Sequence, residues 1–248
     1  MPLTPPYTLS PITEADFDAC MANATPAFAA DAIRLATFPP HLVDPQYPDE
    51  ESDFRRRRLR KRLRAGCVAH KIVDPDDTSK IAAWAVWIPP QGKGRNGEEG
   101  EKKEVGVNGG EEGGEGGEGE GGARSGEGWT NDVPKCAVRE LWDVQISMMK
   151  EAESKVFGED KNFWYLATLS CHPDYQGKGL GAALVKWGLE QAEKDGVPVY
   201  LEATPSGKFL YAKLGFETVI EYDMARYVPE GVKYVFSCML WKPKNKLQ

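Results

Sequence analysis

Residues 172–188 read HPDYQGKGLGAALVKWG, with Gly177, Gly179, Gly181 and Gly188 falling inside twelve positions. Directly before them, NFWYLATLSC (162–171) is a mostly apolar run of the length of a buried strand. Directly after them, apolar residues recur at helical spacing to about Asp195. Glycines at such a strand-to-helix junction let backbone N–H groups approach a ligand closely, and the helix N-terminus adds partial positive charge. The junction therefore suits an anion such as a phosphate. The plainer alternative is a connecting loop in which glycine only relieves turn strain.

Working outward, the chain alternates helical and strand-like segments. SPITEADFDACMANA (10–24) reads as a helix capped from Ser10. AGCVAHKIVD (65–74) and KIAAWAVWIPP (80–90) read as two strands joined by the turn-rich DPDDTS, the second with Trp84, Val86 and Ile88 in alternation. AVRELWDVQISMMKEAESKVFG (137–158) has helical spacing through Leu141, Val144, Met148 and Ala152. VPVYLEA (197–203) is a second buried strand, and GKFLYAKLG (207–215) a short helix ended by Gly215. FETVIEYD (216–223) and YVFSCMLW (234–241) complete the set as strands. The order implies an α/β or α+β fold with a central sheet flanked by helices.

With 248 residues and 41% hydrophobic content, the chain can bury the core of one good-sized domain spanning 1–248. No apolar run approaches the ~18 residues of a membrane span, and MPLTPPYTLSPITEAD lacks the basic and apolar segments of a signal peptide. The expectation is a cytoplasmic protein without a membrane partner. Cys20, Cys67, Cys136, Cys171 and Cys238 are odd in number, scattered and without a CxxC pair. Reduced thiols and no metal site follow from that pattern. The stretch from Gln91 to Gly128 holds ten Glu against five Lys plus Arg, which carries −5 of the formal net charge of −7. It has almost nothing apolar to bury, so it is expected to be a disordered insertion within the domain, solvated or acting as a regulatory tether.

FRRRRLRKRLR (54–64) is the other conspicuous run. Phe54, Leu59 and Leu63 fall at roughly helical spacing, which makes it an amphipathic helix with a solvated basic face. Contact with an acidic substrate or a cofactor phosphate, and a role in nuclear import or nucleic-acid binding, are the alternatives.

Three phosphate-binding patterns compete for the glycine stretch. A Walker loop needs GxxxxGK[ST], which the chain lacks. The dinucleotide pattern GxGxxA fits Gly177, Gly179 and Ala182, with Glu202 about twenty residues on. Against it, Cys171 to Gln176 separate strand from glycines, and fewer than fifty residues remain for a second half-sheet. The third explains more residues: LSCHPDYQGKGLGAAL resembles the acyl-CoA-binding motif of the GNAT superfamily of N-acyltransferases, Q/R-x-x-G-x-G/A after a buried strand. Gln176, Gly179 and Gly181 fill that signature, and FLYAKLGFE (209–217) resembles the family's Y-x-x-x-G-F helix-to-strand junction. The resemblance covers about Phe163 to Ile220.

The resemblance implies a GNAT-like mixed, mostly antiparallel sheet and acetyl-CoA as cosubstrate, with no metal. It places the pyrophosphate on the backbone of Gln176, Gly177, Lys178, Gly179, Leu180, Gly181 and Ala182. The pantetheine arm pairs with Leu169, Ser170 and Cys171, beside a splayed VYLEA strand. Tyr211 stands where a tyrosine protonates the leaving thiolate, and otherwise reads as a core aromatic. Thr204 replaces the asparagine common seven residues earlier and offers one hydroxyl to the pantetheine. An attacking primary amine with a pKa near ~10.4 must first lose a proton. Glu202, on the splayed strand among apolar neighbours that raise its pKa, is the candidate base, its alternative being a solvent-facing or structural carboxylate. The implied reaction is direct acetyl transfer to a primary amine of a small molecule or amino acid, without a covalent intermediate on Cys171. A protein lysine or N-terminal amine acceptor, and an acyl-CoA-binding regulatory module without turnover, are the other readings.

Overall fold

The computed structural model describes residues 6–91 and 132–244. The acidic insertion expected over 91–128 lies, beyond Gln91, outside the described residues. Seven strands form one sheet in the order β1-β2-β3-β4-β5-β7-β6. They are β1 (Leu9–Pro11), β2 (Val68–Val73), β3 (Ile81–Ile88), β4 (Trp164–Cys171), β5 (Val199–Ala203), β6 (Glu217–Asp223) and β7 (Val235–Trp241). Every neighbouring pair is antiparallel except β4 with β5. The helices are α1 (Phe17–Ala27), α2 (Ala32–Thr37), α3 (Glu50–Arg64), α4 (Arg139–Phe157), α5 (Leu180–Asp195) and α6 (Pro205–Lys213).

Strand β3 is buried at all eight positions because both faces of the sheet are covered. Trp84, Val86 and Ile88 pack towards Phe17, Cys20 and Met21 of α1, and Leu59 of α3 lies in the same cluster. Ala83, Ala85 and Trp87 pack towards Leu180, Leu184 and Val185 of α5. The small residues of α5 allow a close approach: a Cβ placed on Gly188 would lie 2.2 Å from Trp87 Cζ2. On the other face, Asn23 of α1 is buried and donates from Nδ2 to the carbonyls of Ile81 (2.7 Å) and Ala82 (3.0 Å). Its Oδ1 accepts from Ser170 Oγ at 2.7 Å, so one side chain ties α1 to two central strands.

The N-terminal reading requires correction. Ser10 does not cap a helix; it lies in β1 opposite Lys71, and Pro11 keeps it extended. The helix begins at Phe17, after a 3₁₀ turn over Glu14–Asp16 in which Asp16 Oδ2 accepts from the Thr13 N–H at 2.8 Å. Helix α2 has no counterpart in the sequence reading, and the remaining helices and strands fall within a few residues of it. Helix α3 carries Glu50, Glu51 and Asp53 in its first turn and Lys61, Arg62 and Arg64 in its last, both favourable to the helix dipole.

Gly188→Ala is expected to cost about 2–3 kcal/mol, because its methyl group can be accommodated only by displacing the fully buried Trp87 ring. Thermal unfolding should show a midpoint several degrees lower, and an unchanged midpoint would contradict the packing of α5 on β3.

Candidate active site

Strands β4 and β5 pair only at Trp164↔Val199 and Tyr165↔Tyr200. Beyond Tyr165 they part. The parting coincides with an irregularity in β4, where Thr168 opposes Val86 but Leu166 opposes Trp87, leaving Ala167 as an extra residue. Such a bulge bends the strand and puts two successive side chains on one face. Here Ala167 packs with the α1 cluster, and Thr168 turns to the same side to accept from Arg62 Nη1 at 3.0 Å. The parting opens a cavity of about 780 Å³ that passes between the strands. Leu169, Gly179, Leu180, Gly181, Leu210 and Tyr211 line it towards α5 and α6. Met21, Phe28, Arg55, Arg58, Leu59 and Arg62 line it towards α1 and α3, with Glu202 between.

At the α5 end, Gly177 and Gly179 have φ of +76° and +79°, and a Cβ on either would meet nothing within 4 Å. Both the left-handed backbone and the open space favour glycine there, and the open space leaves a concavity at the N-terminus of the sixteen-residue α5. Gln176 donates from Nε2 to the Cys171 carbonyl at 3.2 Å, fastening the loop to the end of β4. A turn at Pro173–Tyr175 separates the two, with Tyr175 bonded to Asp74 of the β2–β3 connection.

Glu202 is the most perturbed carboxylate of the site. Its position on β5 turns it to the α1 face, where burial among Tyr165 and Tyr200 pushes its pKa up to about 7. Tyr165 donates its hydroxyl to Glu202 Oε2 at 2.6 Å, which holds the carboxylate in place and opposes the rise. Tyr211 of α6 is 8% exposed, and burial raises its pKa, so it remains a phenol at neutral pH. It is packed edge-on against Phe216, with its ring also close to Gly207. The Cys171 thiol is half-buried at the cavity wall, and desolvation pushes its pKa up to about 11, which leaves it a thiol rather than a nucleophilic thiolate.

Of the predicted site residues, Leu169, Ser170, Cys171, Gln176, Gly177, Gly179, Leu180, Gly181, Ala182, Glu202, Thr204 and Tyr211 all line this one cavity. The Lys178 ammonium lies 4.8 Å from the centre of the ring of Tyr175, which itself lines the cavity. The Thr204 hydroxyl caps α6, accepting from the Gly207 N–H at 3.4 Å and contacting Ser206 Oγ at 3.0 Å, while Thr204 also lines the cavity. The Ser170 hydroxyl is likewise committed to Asn23.

The arginine run also departs from expectation. Arg56, Arg57, Arg60 and Arg64 do face outward and pair with Asp18, Asp53, Asp132 and Glu14. Arg55, Arg58 and Arg62 instead turn into the cavity, so the basic face is not uniformly solvated. The signal for this was present in the spacing: Phe54, Arg58 and Arg62 recur every fourth residue, placing two cations on the apolar stripe. Tyr165 and Asn23 were missed because nothing local marks a strand tyrosine or a helix amide as a partner for residues over thirty positions away. Among the described residues, no group of three or more His, Cys, Asp or Glu side chains is placed to hold a metal ion.

Residues 142–216 match a family model described as Acetyltransferase (GNAT) family. That segment, from α4 to the start of β6, is what this chain has in common with the GNAT acetyltransferases. A curated relative, a probable acyltransferase SID5 from Ajellomyces capsulatus, is 43% identical over 68 residues, a match spanning 24% of this chain and half the length of that relative. Arylalkylamine N-acetyltransferase 2 from Aedes aegypti superposes with a TM-score of 0.57 at 16% identity, covering 96% of this chain and 99% of that one. A histone acetyltransferase HPA2 and related acetyltransferase from Corynebacterium glutamicum gives 0.53 at 20% identity, over 96% of both chains. The putative acetyltransferase yncA from Salmonella typhimurium, solved with its cofactor acetyl-CoA, gives 0.50 at 14% identity, over 98% of this chain and 96% of that one. The mixed, mostly antiparallel sheet with its flanking helices is the GNAT fold.

Because Glu202 carries a raised pKa, the folded state binds its proton more tightly than the unfolded chain. The protonated form is held fully below about pH 4.5, and that contribution is lost as pH rises through about 7. Glu202→Gln removes the charge, so at pH 8 it should be more stable than the wild type by on the order of 3 kcal/mol, with the difference vanishing at pH 4. Denaturant titrations at the two pH values test this, and equal stabilities at pH 8 would refute the burial of the charge.

Proposed function

We propose that the chain is an N-acetyltransferase that transfers the acetyl group of acetyl-CoA to the primary amine of a small molecule or amino acid. The observation that carries this reading is the cavity through the sheet: it joins a glycine-lined helix N-terminus on one face to an elevated carboxylate on the other. The match to the GNAT family model and a fold shared with an acetyltransferase solved with acetyl-CoA support it.

Acetyl-CoA supplies, when bound, an acetyl group activated as a thioester. The open concavity at Gly177 and Gly179 fits its pyrophosphate, with the backbone N–H groups of residues 176–182 as donors. The edge of β4 at Leu169, Ser170 and Cys171, left without a parallel partner after Tyr165, offers backbone groups to the pantetheine arm. Glu202, ionised above about pH 7, accepts a proton from the ammonium, and the freed amine nitrogen forms its bond to the acetyl carbon as the carbon–sulfur bond breaks. Tyr211, kept protonated by burial, gives its proton to the departing sulfur. The tyrosinate takes up the second proton that the nitrogen releases on becoming an amide, and Glu202 returns its proton to solvent. The high thiol pKa of Cys171 is consistent with direct transfer and not with a covalent relay through that residue. A small acceptor is supported by the position of Glu202, which lies between the walls of α1 and α3 rather than on an open surface.

Two outcomes test this. Calorimetric titration should show acetyl-CoA binding with micromolar affinity in the wild type and none in Gly179→Glu, whose carboxylate would occupy the pyrophosphate concavity on a strained backbone; absence of binding to the wild type would overturn the reading. With an amine panel and detection of released thiol, turnover should rise with pH with an apparent pKa near about 7. Glu202→Gln should lower it on the order of 10²-fold and abolish that step. Tyr211→Phe should lower kcat while leaving acetyl-CoA affinity unchanged, whereas a protein that only binds the cosubstrate would show no turnover in any variant.

A further inference from the structure

The cavity mouth at α6 carries a side-chain pair that the pyrophosphate and pantetheine contacts do not use. Ser206, Phe209 and Lys213 line the cavity at spacings of three and four residues, so one stripe of α6 faces the mouth. Helix α6 lies against the glycine loop there, since a Cβ on Gly181 would be 3.4 Å from Leu210 Cδ2. Phe209 is 67% exposed, the most exposed of the large apolar side chains among the described residues. A phenyl ring left in water forgoes the stabilisation of burial, and phenylalanine is only a moderate helix former, so neither packing nor local structure accounts for it. The Lys213 ammonium lies 4.3 Å from the centre of that ring. Lys208 of the same helix pairs with Glu221, whereas among the described residues no carboxylate stands within ion-pair distance of Lys213.

Resting on the acetyltransferase reading, we propose that Phe209 and Lys213 form the adenosine end of the acetyl-CoA site, the ring taking the adenine base and the ammonium the ribose 3′-phosphate. Connectivity carries the assignment. With the pyrophosphate on the backbone of residues 176–182 and the pantetheine running inward along Leu169, Ser170 and Cys171, the adenosine on the outer phosphate leaves the loop at the mouth. An aromatic face suits a purine there, because stacking needs a π-face and no directional partner. A lysine ammonium, a point charge on a flexible stem, suits a phosphate at an exposed rim. The opposite rim is less free: Tyr175 is half-buried, its hydroxyl is bonded to Asp74, and Lys178 lies over its ring. The assignment also fixes the class of donor. A phosphopantetheine carried on a protein serine has neither adenine nor 3′-phosphate and makes neither contact, so the donor is a free CoA thioester.

The experiment is calorimetric titration of the intact chain with acetyl-CoA, acetyl-3′-dephospho-CoA and acetyl-4′-phosphopantetheine. The wild type should bind acetyl-CoA about fivefold more tightly than the dephospho form at low ionic strength, the difference shrinking in about 0.5 M salt. Lys213→Gln should lower acetyl-CoA affinity about fivefold and leave that for the dephospho form within about twofold, erasing the preference. Phe209→Ser should weaken both about tenfold while leaving acetyl-4′-phosphopantetheine within about twofold, and Phe209→Tyr, which keeps the π-face, should bind as the wild type does. Both positions are exposed, so an unchanged thermal midpoint certifies that each variant is folded. Equal wild-type affinity for acetyl-CoA and its dephospho form, a preference that survives Lys213→Gln, or unchanged acetyl-CoA affinity in Phe209→Ser overturns this inference alone. Failure of the wild type to bind acetyl-CoA overturns the acetyltransferase reading and this inference with it.

Discussion

The site depends on two parallel strands that cease to pair. Strands β4 and β5 share only the registers Trp164↔Val199 and Tyr165↔Tyr200, and the extra residue Ala167 then bends β4 away. A sheet covered on both faces ordinarily has no passage through it, since unpaired strand edges leave backbone groups without partners. Here the edge of β4 from Thr168 to Cys171 borders a cavity instead. The rest of the strand is anchored firmly enough to tolerate that. Antiparallel β3 pairs it to Cys171, the buried Asn23 fixes Ser170 from the opposite face, and Gln176 fastens its terminal carbonyl.

That single geometric event determines the local chemistry. Because side chains alternate across a strand, Tyr200 and Glu202 of β5 face α1 and α3 while Leu201 and Ala203 face α5. A carboxylate turned inward at the point of parting is desolvated by its neighbours yet lines a cavity. Its elevated pKa follows from burial, held in check by the Tyr165 hydroxyl. The bulge at Ala167 has a second consequence: it turns Thr168 to the α3 side, where it receives Arg62. Had β4 kept a regular pleat, Thr168 would face α5 and the guanidinium would lose that partner.

The two ends of the cavity then differ in kind. At the α5 end, backbone amides and a helix dipole provide neutral donors suited to a diffuse anion. At the α3 end, full charges sit on aromatic and hydroxyl supports. The helix that provides them is stabilised independently of any ligand by its acidic first turn and its outward ion pairs, and by Phe54 and Leu59 in the core. Exposed pairs of this type contribute little individually, so α3 is held mainly by its apolar stripe. The inward arginines are placed by that stripe.

Much of this was legible in the sequence. The apolar run before the glycines, the glycine pattern itself and the Tyr211 to Phe216 junction specify elements through local rules of burial, backbone freedom and periodicity, and the strand–turn–helix they describe is the one found. Glu202 could be placed on its strand, and its raised pKa anticipated, because VYLEA surrounds it with apolar neighbours. Other features were beyond local reading. Ser10 joined a strand because β2 was there to pair with it, Asn23 received Ser170, and Tyr165 reached Glu202. The sequence by itself determined most of the strands and helices and the glycine turn, because those follow from interactions a few residues apart. Only the tertiary structure decided that the arginines of α3, the carboxylate of β5 and the open edge of β4 meet in one cavity, because long-range pairing and its interruption depend on residues separated by a hundred positions or more.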